Sequence, residues 1–124
     1  MANIEIQKDD KHQLTIITVK GNLTSKEIID TIYAHNRQKV TKNVLWDLSD
    51  VVALDIGKSD VDAFVNATRQ FIQLREGGKT AIVANTDLGY GLSRMFESLQ
   101  SAADSHVHHE TFRTKDRALK WVME

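Results

Sequence analysis

Polar residues of types that bind ligands or partner proteins follow the apolar, β-branched stretches of this chain. Asp47 and Ser49 end the apolar run that begins at Val44, and a second group follows the apolar run at 80–84. The candidate binding residues are Asp47, Ser49, Asp55, Lys58, Ser59, Asp87, Tyr90 and Arg94. Parallel strands open at their carboxyl ends into a common crevice, so we expect these side chains at one edge of a sheet. Helix N-termini at the same edge would favour an anion.

Each of these residues also has a simpler interpretation, since Asp and Ser commonly end strands and cap helices. Asp47 stands in an otherwise apolar strand, where a carboxylate must be hydrogen-bonded, paired or close to the strand end. It either accepts backbone N–H bonds from a neighbouring loop, which is the simpler account, or orders a ligand or partner loop. Ser59, with Asp62 one turn later, is expected to be the N-cap of a helix.

No catalytic arrangement is visible in the sequence. The absence of cysteine excludes thiol catalysis and cysteine-ligated zinc. Ser93 lacks the second glycine of a nucleophile elbow, and Gly89-Tyr90-Gly91 is too short for a dinucleotide-binding loop. We therefore expect no catalytic residue, no cofactor and no enzymatic activity.

A histidine-rich segment near the carboxyl end raises the question of a metal site. His106 and His108 would share one strand face, next to His109 and Glu110, but a third ligand would have to come from elsewhere. Since the spacing matches no defined metal motif, the favoured interpretation is a surface edge strand without metal.

The composition limits the possible partners. The 124 residues are enough for one domain, and 16 Lys and Arg against 17 Asp and Glu give a net charge of −1. This balance argues against nucleic acid as the main partner and offers no basic patch for anionic lipid. No basic, then apolar leader is visible, and the apolar runs fall far short of the roughly 18 residues that span a bilayer, so we expect a cytoplasmic protein without a membrane span.

Strand and helix patterns alternate along the chain. Thr24 and Glu27 have the spacing of a capping box, and 44–48 is apolar on both faces except at Asp47, which favours a central strand. The segments Ser49–Ser59 and Asn85–Gly91 are expected to be loops, and a third loop lies near Arg113. The predicted elements are strands at 3–7, 14–19 (ending at Gly21-Asn22), 44–48, 80–84 and 106–112, and helices at 24 to about 39, 59 to about 74, 92–103 and after Thr114. The order β-β-α-β-α-β-α-β-α predicts an α/β domain with a mixed, mostly parallel sheet of about five strands and about four helices.

Several segments resemble a known family. Asn43–Ser49 is similar to the central strand of STAS domains, an apolar run that ends in Asp-Leu-Ser, and Gly78–Ala84 with Tyr90–Glu97 resembles small bacterial STAS-like proteins. These are related to sporulation anti-sigma-factor antagonists and share a fold group with CRAL-TRIO lipid-binding domains. The resemblance covers nearly the whole chain and implies one STAS-like domain over 1–124.

The chain departs from the antagonists at their regulatory serine. The antagonists carry an Asp-Ser-Ser-Gly-like motif, and the matching segment here is Asp55-Ile56-Gly57-Lys58. Asp55 matches, but Ile56 and Gly57 occupy the serine positions, and Ser59 comes too late. The resemblance therefore does not imply a phosphorylation switch.

Two function hypotheses follow. The first is a non-catalytic regulatory or protein-interaction domain with another protein as partner. The alternative is a protein that binds or senses a small apolar or anionic, lipid-like ligand in an open core, with Trp46, Phe64 and Phe96 at core positions. A homodimer through the first strand or the last helix is a further possibility.

Overall fold

The computed structural model describes residues 2–102 and 106–124. The elements are β1 (Ala2–Asp9), β2 (Leu14–Thr24), α1 (Ser25–Arg37), β3 (Asn43–Asp55), α2 (Lys58–Arg69), a 3₁₀ helix (Ile72–Arg75), β4 (Lys79–Val83), α3 (Asp87–Ala102), β5 (His108–Phe112) and α4 (Lys115–Val122). This order confirms the predicted α/β fold. Ala103, which the sequence places in the third helix, lies outside the described residues.

The strands form one five-stranded sheet in the order β1-β2-β3-β4-β5. β1 pairs antiparallel with β2, and the other neighbours are parallel. The prediction that 44–48 is a central strand is confirmed, and β5 is an edge strand as expected. β1 lies at the other edge.

Helices cover both faces of the sheet. Leu45 and Val83 pack on one face against Ala118 and Val122 of α4. On the opposite face, α1, α2 and α3 pack over Trp46, with Ile32, Phe64 and Phe96 among their contact residues. The apolar residues of α4 pack against the sheet, and Met123, directly after the helix, is 46% exposed.

The start of α1 follows from the predicted capping box. The backbone N–H of Glu27 donates to the Thr24 hydroxyl at 3.3 Å, and the Thr24 N–H donates to the Glu27 carboxylate at 3.1 Å. The same carboxylate accepts the N–H of Ala2 at 2.9 Å, which ties β1 to the helix. The helix ends at Arg37, slightly before the predicted end.

Two strands are longer than the sequence indicates. β2 continues past Gly21, which has a φ of 92° and lies at a shift of the pairing register, and β3 continues to Asp55. The predicted strand end at Gly21-Asn22 and the predicted loop from Ser49 are therefore wrong. β4 pairs with β3 only over Val44–Asp47, so Lys20–Thr24 and Asp50–Asp55 extend beyond β4, and we call this extension the β2–β3 ribbon.

Two helices also differ from prediction. α2 ends at Arg69 instead of continuing to Leu74, and the 3₁₀ helix follows before Gly77-Gly78. α3 already begins at Asp87, because the Thr86 hydroxyl accepts the Gly89 N–H at 3.1 Å and its carbonyl accepts the Tyr90 N–H at 2.9 Å. Most of the predicted loop Asn85–Gly91 is therefore helical. In the described part of the chain, no helix has the length and apolar character needed to cross a membrane.

Candidate functional site

Asp47 is held by its own strand. Its side chain is on the α4 face, and the residue is 6% exposed. One carboxylate oxygen accepts the Ser49 N–H at 3.1 Å and the Ser49 hydroxyl at 2.5 Å, and Lys115 Nζ lies 4.0 Å from the other. Ser49 therefore takes the place of the expected donors from a neighbouring loop, and Lys115 lies at ion-pair distance from the second oxygen. Both contacts come from this chain and need no ligand.

Arg113 contacts the candidate residues that follow β4, and Asn85 connects this group to Ser49 on β3. Its guanidinium donates to the Asp87 carboxylate at 3.1 Å and to the Asn85 carbonyl at 3.3 Å, and it lies 4.2 Å from the centre of the Tyr90 ring. The Asn85 amide in turn donates to the Ser49 carbonyl at 2.9 Å. The carboxyl edge of the sheet thus gathers Asp47, Ser49, Asp87 and Tyr90, which are linked by two residues absent from the predicted set.

Asp55, Lys58 and Ser59 lie apart from this network, whereas Arg94 borders it, since hydrogen bonding with Tyr90 raises the pKa of Arg94. Asp55 ends the β2–β3 ribbon opposite Thr24, and Lys58 and Ser59 are exposed in the first turn of α2. Arg94 is one turn beyond Tyr90 on α3, where its Nε lies 3.9 Å from Glu97. The predicted set is therefore spread along the edge instead of forming one pocket.

The cap of α2 differs from expectation. Gly57 is the N-cap, and its backbone N–H donates to the Asp60 carboxylate at 2.8 Å. Ser59 is inside the helix, so its predicted role as N-cap is wrong. Gly57 and Asp60 have the same spacing as Ser59 and Asp62. The Asp60 carboxylate caps the Gly57 N–H, although glycine supplies no side-chain acceptor in return.

Two substitutions test this cap. Ser59→Ala is expected to change the free energy of unfolding by less than about 0.5 kcal/mol, since an exposed non-cap position contributes little. Asp60→Ala is expected to cost about 1 kcal/mol, because it removes the acceptor for the Gly57 N–H and a negative charge at the helix N-terminus. Urea denaturation of both variants measures the difference, and a larger loss for Ser59→Ala would contradict the assignment.

An apolar groove of about 200 Å³ lies between the ribbon and the start of α3. We call it the ribbon groove. Val52 on the ribbon is 81% exposed and Leu88 on α3 is 58% exposed. Its lining residues are Leu48, Val51, Val52, Ala53, Leu54, Ala84, Thr86, Leu88 and Gly89. It is flanked along the chain by the exposed carboxylates of Asp50, Asp55 and Asp87.

A second cavity of about 100 Å³, partly open to solvent, lies between the sheet and helices α1, α2 and α3. Its apolar wall includes Trp46, Phe64, Ile82 and Phe96. Leu48, Leu54 and Gly89 line this cavity and the ribbon groove alike.

The amino end of the sheet supplies a polar wall to this cavity. Arg75, which is 7% exposed, donates from Nη2 to the Thr80 hydroxyl at 2.8 Å and to the Lys79 carbonyl at 2.9 Å, and from Nε to the Lys42 carbonyl at 3.3 Å. Among the described residues no carboxylate lies within ion-pairing distance of it. Burial lowers its pKa to about 10, so the guanidinium is charged at neutral pH.

Two histidines complete the polar wall and are neutral there. Burial, with the nearby Arg75 charge, lowers the pKa of His35 to about 3 and that of His109 to about 4. The ring of His35 contacts Trp46 edge-on at 6.0 Å, and that of His109 contacts Phe96 at 5.5 Å. The sequence did not identify this wall, because Arg75 resembles any charged residue at a helix end.

The histidine-rich segment faces two ways. His106, His108 and Glu110 are exposed, whereas His109 turns inward. In the ranges 2–102 and 106–124, no group of three or more potential metal ligands is close enough to hold an ion.

Solved structures share this architecture. An anti-sigma factor antagonist from Mycobacterium paratuberculosis superposes with a TM-score of 0.64 at 17% identity, covering 100% of this chain and 96% of that one. The anti-sigma factor antagonist SpoIIAA in its unphosphorylated form gives a TM-score of 0.51 at 12% identity, covering 97% of each chain. The fold is STAS-like. This confirms the resemblance at the level of fold.

A third STAS-like structure is a DUF3478 family protein with a SpoIIAA-like fold from Shewanella loihica PV-4. It has a TM-score of 0.58 and 13% identity, and the match covers 98% of this chain and 93% of that one. No family model matches the sequence, and no curated protein matches it. The superpositions establish the STAS-like fold. Because the identities are low, function has to be argued from the residues of this chain.

Proposed function

We propose that this chain is a non-catalytic, cytoplasmic regulatory protein that binds a partner protein at the ribbon groove. The observation that supports this most directly is the exposure of Val52 (81%) and Leu88 (58%) on the two sides of one apolar groove. Contiguous exposed apolar surface with a polar rim is typical of protein-binding sites. The antagonists with the same fold carry a regulatory name, which agrees with a protein partner.

The position of the groove supports this role. Since β4 does not extend alongside the ribbon, residues 51–54 of β3 are left beside α3 without a covering strand. Val51 and Leu54 pack into the core, but Val52 adds little to it and costs solubility, so its exposure agrees with a binding role. Asp50, Asp55 and Asp87 favour a partner that presents an apolar side chain among basic groups.

Regulation by phosphorylation at the family's serine positions is not part of the proposal. Ile56 and Gly57 have no hydroxyl, and Gly57 is already used as the cap of α2. Control of partner binding therefore has to act elsewhere, and the interior cavity offers one place.

Val52→Asp and Leu88→Asp are expected to abolish partner capture while leaving the fold intact, because each places a carboxylate in the groove at an exposed position. The measurement is affinity capture with quantitative mass spectrometry, followed by calorimetry with the purified partner. Asp55→Lys is expected to weaken binding by about tenfold, as reversal of a rim charge does, whereas Lys58→Glu should maintain or strengthen binding because the partner's groups are basic.

Leu74→Asp is the matched control. Leu74 is 65% exposed but lies in the 3₁₀ helix beyond α2, at the amino edge of the sheet. A partner that is lost equally from Leu74→Asp and Val52→Asp, or retained by both groove variants, would overturn the proposed site.

A further inference from the structure

Arg75 is a buried cation without a buried anion. A guanidinium removed from water is stable in a protein interior only when its donors are satisfied and its charge is compensated. Two backbone carbonyls and the Thr80 hydroxyl accept from Nε and Nη2, whereas Nη1 donates to no described residue. The N–H groups of Nη1 are therefore left for an acceptor at the cavity wall.

The groups around Arg75 do not supply that acceptor. His35 and His109 are the titratable side chains on the same wall, and both are neutral. The buried Oδ1 of Asn36, also on this wall, has no hydrogen-bond partner among the described residues. The polar wall is thus incompletely satisfied by the described residues, which is unusual for buried polar groups in a native domain.

The remainder of the cavity is suited to hydrocarbon. Trp46, Phe64, Ile82 and Phe96 face it, and the polar groups gather at the end formed by the start of β4. An occupant with one acidic end and one apolar end would match both walls. A hydrogen bond from the charged Nη1 group to a carboxylate is charge-assisted and stronger than one to a neutral hydroxyl, which favours a carboxylate.

The volume limits the size of the occupant. The cavity measures about 100 Å³, and a cavity of about 150 Å³ lined by aliphatic and aromatic side chains is enough for benzene. The cavity therefore takes an acid smaller than benzene, such as propanoate, and excludes a long acyl chain.

We infer that the cavity between the sheet and helices α1, α2 and α3 binds a short-chain monocarboxylate. The carboxylate pairs with Nη1 of Arg75, and the hydrocarbon lies among Trp46, Phe64 and Phe96. This site is distinct from the ribbon groove, and the inference does not depend on the proposed protein partner.

Titration of the purified chain with propanoate tests the inference. Trp46 reports on the cavity, so the measurement uses its fluorescence in a Trp121→Phe background, together with the NMR signals of the Arg75 Nε–H and of the His35 and His109 rings. We expect saturable binding of propanoate, with propan-1-ol binding at least about tenfold more weakly. Octanoate is expected to bind more weakly than propanoate, because its chain exceeds the cavity.

Arg75→Met is expected to reduce propanoate affinity at least about tenfold and to remove the preference for acid over alcohol. Arg117→Met is the matched control, since Arg117 is exposed on α4 at the opposite face of the sheet; it should leave binding unchanged. Equal binding of acid and alcohol by the wild-type chain, no saturable propanoate binding, or full binding by Arg75→Met would each overturn the inference.

A second variant covers the case in which Arg75→Met does not fold. Ser93 is 7% exposed and lines the cavity from α3, so Ser93→Leu fills the space while it keeps the arginine. Loss of propanoate binding in a folded Ser93→Leu protein supports the cavity as the site. Binding that persists there contradicts it.

Discussion

Lowering the pH from about 7.5 to about 5 is expected to remove roughly 4 kcal/mol from the free energy of unfolding. His35 and His109 have folded-state pKa values of about 3 and about 4, below the value of about 6.5 for an unfolded histidine. Between these limits the unfolded chain binds protons that the folded chain does not, so stability falls as pH falls. Each histidine contributes about 1.4 kcal/mol per pH unit below about 6.5, or about 2 kcal/mol at pH 5.

Urea denaturation at a series of pH values measures this slope. His35→Gln and His109→Gln should each remove about half of the slope, whatever they do to stability at neutral pH. His108→Gln is the matched control, because His108 is exposed on the same strand as His109 and should leave the slope unchanged. A ring titration by NMR that placed either buried histidine near its unfolded pKa would contradict the prediction.

Gly78→Ala is expected to destabilise the domain by about 3 kcal/mol or more, because the new Cβ has no space. It would lie 1.9 Å from the Lys42 carbonyl oxygen and 2.9 Å from the Arg75 carbonyl oxygen. The position cannot relax easily, since the Gly78 N–H donates to the Arg75 carbonyl at 2.8 Å and its own carbonyl accepts from His108 at 3.0 Å. Both contacts are to backbone, so no side-chain rotation relieves the clash.

Gly91→Ala provides the contrast. Its Cβ would meet nothing within 4 Å, and the residue lies inside α3. Alanine is better than glycine at a helix interior by about 0.5–1 kcal/mol, so this variant should be slightly more stable than the wild type. Thermal and urea unfolding of the two variants compare them directly, and a similar loss in both would show that the tight approach at Gly78 is not what limits stability.

The fold was predictable because its signals are local. Thr24 and Glu27 form the expected box, and the apolar run at 44–48 is the central strand. The ribbon was not predictable, because Ser49 and Asp50 interrupt the apolar pattern and Gly21 suggests a strand end. Only the pairing of β2 with β3 shows that both strands continue, with Asn22 opposite Ala53 and Thr24 opposite Asp55.

The candidate sites show a similar division. Rules for strand ends led to Asp87 and Tyr90, which lie in the network of Arg113. They could not lead to Arg75, whose burial depends on how the 3₁₀ helix brings it against Lys42, Lys79 and Thr80. Nor could they separate Gly57 from Ser59 as the cap of α2, since backbone geometry decides between them.

The shared wall of Leu48, Leu54 and Gly89 means that the two sites are separated by little more than one layer of side chains. If a guest on one side displaces this layer, it changes the shape presented on the other, and the two proposed binding equilibria are then linked. Linkage is reciprocal: whatever factor an acid in the interior applies to the affinity of the protein partner, that partner applies to the affinity of the acid. The fraction of the domain bound to its partner would then depend on the concentration of the acid as well as on that of the partner, with no covalent modification.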